Sequence, residues 1–224
     1  MPRQARIVFP NLPHYITQWG NRREDVFFTD DQRKRYLAWL KEYSDRHGVE
    51  VLAYCLMSNQ IHLVAVPRTE EALQRVLRPL HTRFAQRLNR EQGWKGHVWH
   101  GRFSSSALDN VYMLAAIRYV ERYPVRVKLV RKAERYRWSS AAAHCGLTED
   151  AVLTKKRQWQ RKMEQTLDWA AWLAEADNPE QLEVISTHVE RGLPCGLRQF
   201  IKKLERLSGQ VLEYRPRGRP KKVK

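Results

Sequence analysis

The chain has 224 residues, of which 42% are hydrophobic, so it can bury a core and is not disordered throughout. Forty-one Lys and Arg against 24 Asp and Glu give a net charge of +17, which favours a polyanionic partner. No apolar run is long enough to span a membrane, and no secretory leader is indicated. Three scattered cysteines form neither a disulfide framework nor a zinc motif, so we expect a cytoplasmic, nucleoid-associated protein with no membrane partner.

The charge is unevenly distributed along the chain. Residues 164–190 hold seven acidic residues and no Lys or Arg, whereas residues 197–224 hold ten basic and two acidic residues. This change in composition predicts a main domain over residues 1–152, a helical extension over residues 153–209 and a basic tail over residues 210–224.

Strand and helix patterns alternate along the main domain. A short strand over residues 14–17 precedes Thr29 and Gln32, whose spacing is that of a capping box and predicts a helix from there to Gly48. Two apolar strands, a long helix and a further helix follow, over residues 49–57, 60–66, 70–91 and from about 110 to before Pro124. The order β-α-β-β-α predicts an α+β fold, a ferredoxin-like antiparallel sheet with packed helices.

Two polar residues stand out within the second apolar strand. Because side chains alternate along a strand, Gln60 and His62 lie on one face and Ile61 on the other. The pair can be a functional site or a satisfied pair of polar residues at a strand end, and the pattern alone is more typical of the second.

Five ordered segments resemble motifs of one protein family. They are residues 18–23 (QWGNRR), 56–63 (LMSNQIHL), 96–103 (GHVWHGRF), 118–126 (RYVERYPVR) and 136–140 (YRWSS). Together they resemble the HUH single-strand tyrosine transposases, and among these the REP-associated tyrosine transposase branch. The resemblance covers roughly the first two-thirds of the chain and implies the HUH transposase fold, followed here by the helical extension and the tail.

The resemblance also implies a chemistry. In the family a tyrosine hydroxyl attacks a DNA phosphodiester and holds the 5′ phosphate, assisted by a divalent ion that two histidines and one polar residue bind. By position the nucleophile is Tyr119, and the metal ligands are Gln60, His62 and Tyr123. Gln60 replaces a histidine and Tyr123 replaces an asparagine, so we expect a weak or lost site that binds Mg²⁺ or Mn²⁺ if active and none otherwise.

Basic and aromatic residues near these motifs are candidates for DNA contacts. They are expected to bind phosphates or to stack on unpaired bases: Asn21, Arg22, Arg23, Trp99, Arg102, Phe103, Arg118, Arg122 and Arg126. Each arginine can also be a solvated surface charge, and each aromatic can belong to the core. In the tail, Arg217, Gly218 and Arg219 lie within an AT-hook sequence that suits the narrow minor groove of A·T-rich duplex, although five such residues also arise by chance.

The sequence therefore predicts a hairpin- or sequence-specific DNA-binding protein, derived from a single-strand transposase, with weak or absent cleavage. One alternative is an active metal-dependent single-stranded DNA endonuclease and strand transferase that works through a 5′-phosphotyrosine intermediate. The other is an RNA-binding module, which ranks last because no aromatic RNP-type strand is present. The recognised DNA sequence is not predicted, and both a monomer and a homodimer are compatible with the sequence.

Overall fold

The computed structural model describes residues 7–163 and 168–214. Its sheet has four antiparallel strands in the order β2-β3-β1-β4. The strands are β1 His14–Trp19, β2 Val49–Leu56, β3 Gln60–Pro67 and β4 Ser104–Ala107. The predicted α+β fold is confirmed, and with β4 the order becomes the full β-α-β-β-α-β of a ferredoxin-like unit.

Helices pack on both faces of this sheet. Those of the main domain are α1 Asp30–His47, α2 Ala72–Gln92, α3 Asn110–Glu121, α4 Tyr123–Arg126 and α5 Ala141–His144. Those that follow are α6 Arg157–Met163, α7 Trp169–Ala174, α8 Pro179–Arg191 and α9 Arg198–Ser208. No helix among the described residues is both long and apolar enough to cross a bilayer.

Local sequence accounts for the ends of the first long helix. The capping box is present, since Thr29 accepts a hydrogen bond from the Gln32 amide and the Gln32 side chain bonds back to the Thr29 amide. At the other end Gly48 adopts a left-handed φ of 67°, which a glycine tolerates without a Cβ clash. Strand β4 was not predicted, because its sequence of three serines and an alanine lacks the β-branched and aromatic residues typical of strands.

The alternation of side chains gives the sheet two main buried layers, and a smaller cluster joins Phe9 and Ala107 to Leu204 of α9 and Leu212. Ile16, Ile61 and Leu63 face α1 and α2, and every buried member of that layer lies between residues 16 and 103. Tyr15 and Val64 point the other way, into a layer closed by α3. We call these the α2 face and the α3 face of the sheet.

The helical extension is packed into the second layer. Trp169, Leu173, Ile185 and Val189 are buried in the same cluster as Tyr15. The extension therefore completes the core over the α3 face, although the proposed domain boundaries themselves stay a prediction.

Candidate tyrosine site and basic surface

Strands β1 and β3 build the floor of the candidate site on the α3 face. Gln60 and His62 alternate with Ile61 as predicted, and both are buried. His62 pairs across the strands with Thr17, and its Nδ1 lies 2.7 Å from the hydroxyl oxygen of Tyr15. The Tyr15 hydroxyl fixes the imidazole ring in one orientation.

Helix α3 brings the candidate nucleophile over this floor. Asp109 caps the helix by accepting a hydrogen bond from the Tyr112 amide. Tyr119, two turns further on, meets the ring of Tyr15 edge-on, with centroids 5.6 Å apart. Tyr123 follows in α4, and its ring lies against His62 at a centroid distance of 4.3 Å. The structure thus brings together His62, Tyr119 and Tyr123, with Gln60 two residues from His62 on the same face of β3.

Arg126 adds a positive charge to this cluster. Its guanidinium carbon lies 4.0 Å from the centre of the Tyr119 ring and 5.2 Å from that of Tyr123. Its Nη2 donates a 2.6 Å hydrogen bond to the Tyr119 carbonyl oxygen, whereas its Nη1 is buried and makes no hydrogen bond of good geometry. A cation with an unused donor therefore lies against the nucleophile.

Burial governs the protonation states of the site. It raises the pKa of Tyr119 above the usual phenol value, and the Arg126 charge opposes that rise. Burial, assisted by Arg126, lowers the pKa of His62 to about 3, so this imidazole is neutral at physiological pH. The pKa of Tyr15 is raised well above its usual value by burial, so its hydroxyl keeps its proton.

The donor set decides how well a divalent ion fits this site. Two buried atoms on the floor lack a partner, Gln60 Oε1 and His62 Nε2. A phenol hydroxyl is a stronger hydrogen-bond donor than a neutral imidazole N–H, so we assign the Tyr15 hydroxyl as the donor to His62 Nδ1, which places the ring proton on Nε2. With this assignment, Gln60 Oε1 is the one of these two atoms that offers a free lone pair. In residues 7–163 and 168–214, no group of three or more His, Cys, Asp or Glu residues could hold a metal ion. These residues fit a resident divalent ion poorly.

Two of the predicted DNA-binding arginines are used inside the protein. Arg118 and Arg122 both pair with Asp177 of the extension, through Asp177 Oδ1 at 3.2 and 2.8 Å. Arg118 also donates a hydrogen bond to the carbonyl oxygen of Trp172, and Arg122 donates one to the carbonyl oxygen of Leu173. The side chains of Arg118, Arg122 and Asp177 are 10–14% exposed. A DNA contact by the two arginines stays a prediction, and this geometry does not favour it.

The other predicted DNA contacts lie on the surface or in the core. Arg22 and Arg23 are exposed in a turn after β1, both at positive φ (52° and 63°), and Arg23 stacks on Trp19 at 4.5 Å on the α3 face. Trp99 and Phe103 are buried in the core of the α2 face and also line a groove there, and their stacking on bases stays a prediction. Asn21 is half-buried and Arg102 is exposed, and a DNA contact by either residue stays a prediction. The AT-hook residues Arg217, Gly218 and Arg219 lie outside the described residues.

Sequence reasoning missed three residues of β1. Tyr15 and Trp19 belong to the α3 face beside His62 and Gln60, and Gln18 lies on the α2 face. Side chains alternate between the two faces of a strand, so the sequence of β1 would have assigned all three residues to their faces once β1 was known to pair with β3.

A tyrosine-bearing helix over a polar strand floor is the arrangement expected of the single-strand DNA transposases. Comparison with known proteins gives the same class. The chain belongs to the IS200-like transposase family, whose family model matches residues 11–123. A solved structure of a REP-associated tyrosine transposase bound to a REP hairpin has a TM-score of 0.52 at 15% identity, over 70% of this chain and 99% of that one. A crystal structure of a candidate transposase from Deinococcus radiodurans R1 gives a TM-score of 0.38 at 16% identity, over 54% of this chain and 96% of that one. No curated protein matches the chain.

Proposed function

We propose that this protein binds hairpin or single-stranded DNA, as a member of the REP-associated branch of its family, and that it cleaves DNA weakly or not at all. The observation that carries the proposal is the chemistry of the groups around Tyr119. His62 Nε2–H and the Arg126 guanidinium are donors, and both have unused capacity. Donors and positive charge suit a phosphate oxygen, whereas a metal ion requires lone pairs.

The distribution of charge supports the same proposal. The net charge of +17 includes Arg22 and Arg23, which stand exposed at the end of β1, next to the floor of the tyrosine site. The REP-associated tyrosine transposase of similar fold was solved bound to a REP hairpin, so a hairpin is the first ligand to test.

The surroundings of the phenol support weak cleavage. Tyr119 has a raised pKa, so at neutral pH it holds its proton and is a poor nucleophile. The Tyr123 ring occupies the position beside His62 where the family places a third metal ligand. Without a metal ion, the Arg126 guanidinium and the His62 Nε2–H donor are left to stabilise the charge that develops on the phosphate.

The test uses the full chain and single-stranded hairpin oligonucleotides, with Mn²⁺ or with EDTA. We expect equal binding in both conditions, measured by fluorescence anisotropy, and little covalent protein–DNA adduct on a denaturing gel. An abundant adduct that requires Mn²⁺ would instead establish the active endonuclease. Failure to bind any of the oligonucleotides would refute DNA binding itself.

A further inference from the structure

A groove opens on the α2 face, on the opposite side of the sheet from Tyr119. It runs between α2 and the loop that joins α2 to β4. Buried His81 and Trp99 form part of its floor, and the indole Nε1 of Trp99 donates a hydrogen bond to the His81 carbonyl oxygen. The His81 ring is held in turn by the Tyr36 hydroxyl, which lies 3.0 Å from its Nε2.

The floor contains one polar atom without a partner. Gln18 is 2% exposed, and its amide nitrogen donates to the carbonyl oxygens of Trp19 (3.1 Å) and His100 (3.2 Å). Its Oε1 accepts nothing. Turning the amide over would bring that oxygen against two carbonyl oxygens, so the orientation is fixed by its surroundings. A buried acceptor left unsatisfied costs free energy that a donor from a ligand would recover.

The rim of the groove is basic. Arg78 of α2 and Arg102 of the loop stand exposed on its two sides. Among the described residues that line the groove there is no Asp or Glu, although the whole chain has 24 acidic residues. The site therefore combines an acceptor at its base, walls of both polar and aromatic side chains, and positive charge at its mouth.

We propose that this groove binds one unpaired nucleobase of single-stranded DNA, an inference that rests on the DNA binding proposed above. A ring N–H or amino group of the base donates to Gln18 Oε1, while Arg78 and Arg102 bind the phosphates on either side. Unpaired bases are recognised in proteins by this combination of edge hydrogen bonds, apolar contact and phosphate contacts. The sheet then carries two separate DNA contacts, the scissile phosphate on the α3 face and a recognised base on the α2 face.

The test compares a short oligo(dT) with the same oligonucleotide made of N3-methylthymidine, which lacks the donor. We expect the wild-type chain to bind oligo(dT) about five-fold more tightly, the effect of one neutral hydrogen bond, measured by anisotropy at fixed salt. Gln18→Met should abolish this preference, because it keeps the shape of the side chain and removes the acceptor. Equal affinity of the wild type for both oligonucleotides, or a preference that survives Gln18→Met, would overturn the proposal.

Two further variants keep the test decisive. Gln18→Met also removes two internal hydrogen bonds, so its fold is checked by thermal melting. If it unfolds, Thr82→Trp decides instead, since Thr82 is exposed on α2 and an indole there fills the groove. The proposal fails if the preference for oligo(dT) persists in that variant.

The phosphate contact is tested by Arg102→Ala, which should lower the affinity for both oligonucleotides more than Arg131→Ala does. Arg131→Ala removes the same charge from an exposed position outside the groove. An equal loss of affinity in the two variants would contradict the phosphate contact.

The outcome also separates this proposal from the proposed function. If the chain binds hairpin oligonucleotides but does not distinguish the two thymidine probes, the groove is not a base site and DNA binding stands. If it binds neither hairpins nor oligo(dT), the proposed function itself is refuted.

Discussion

At the scale of single residues, Gln60 and Tyr123 limit the chemistry of Tyr119. We expect Gln60→His with Tyr123→Asn to increase the amount of covalent protein–DNA adduct formed in Mn²⁺. The new imidazole would lie on the same strand face as His62, and removing the Tyr123 ring opens the space against which His62 now packs. Adduct is measured on denaturing gels with a hairpin oligonucleotide.

The control for this double variant adds Tyr119→Phe, which keeps the ring and removes the hydroxyl. The gain must vanish, because the covalent bond needs that oxygen. A gain that persists without the hydroxyl would show that another residue is the nucleophile.

Residue-level contacts also show what the sequence could and could not supply. The family resemblance predicts that the motif residues lie together, and His62, Tyr119 and Tyr123 do so. The period of a strand and the spacing of a helix determine the face from which each of these side chains projects. Arg118 and Arg122 were expected to contact DNA, since a sequence gives a charge but not its partner. Asp177, which occupies both arginines, lies more than fifty positions further along the chain.

At the scale of elements, Asp177 ties the extension to α3. We expect Asp177→Asn to lower the free energy of unfolding by about 1.5–3 kcal/mol, the range for hydrogen bonds to charged groups, because two largely buried guanidinium groups lose their counter-charge. Urea denaturation measures the change. The matched control is Asp31→Asn, whose exposed pair with Lys34 should contribute less than about 1 kcal/mol. Equal effects of the two variants would mean that the Asp177 contact does not stabilise the fold.

A second contact between elements predicts a pH dependence. The fully buried Glu121 of α3 accepts hydrogen bonds from Ser140 (2.5 Å), His144 (2.6 Å) and Trp169 of α7 (2.8 Å). Burial alone would lower the pKa of His144, but the Glu121 carboxylate outweighs burial and raises it. A raised pKa in the folded state stabilises the protein below the unfolded value of about 6.5, and this contribution is lost as the pH rises through the folded value.

His144→Gln should therefore destabilise the protein more at pH about 5.5 than at pH about 9, on either side of the histidine range. The difference in free energy of unfolding between wild type and variant, from urea denaturation at each pH, is the quantity to compare. The buried neutral histidines are common to both proteins and cancel in this difference. A difference that is constant with pH would show that His144 is uncharged when paired with Glu121.

At the scale of the whole molecule, the net charge predicts how DNA affinity responds to salt. For single strands the slope of log affinity against log salt is about −0.7 per phosphate neutralised, so several contacts give a slope of several units. Arg22→Ala should reduce the slope by about that single increment, since Arg22 is exposed beside the site. A salt titration with a slope near zero would contradict electrostatic binding.

The tail provides a separate prediction from sequence alone. Deletion of residues 215–224 should lower affinity for A·T-rich duplex more than affinity for hairpin single strands, because the paired arginines of an AT-hook suit a narrow minor groove. The comparison is made by anisotropy with A·T-rich duplex, G·C-rich duplex and a hairpin. Equal losses on the two duplexes would reduce the tail to a nonspecific basic arm.

The two buried layers close at different times as the chain is synthesised. Every buried residue of the α2 face lies between Ile16 and Phe103, so that layer can form while the ribosome is still translating the second half. The α3 face joins Tyr15 to Val189 and Cys195, near the other end of the chain. Until α8 and Cys195 have emerged, the part of that face which they cover, along β1 and β4, remains exposed. The nascent protein therefore passes through a half-covered sheet, which is where chaperone binding or premature aggregation would act.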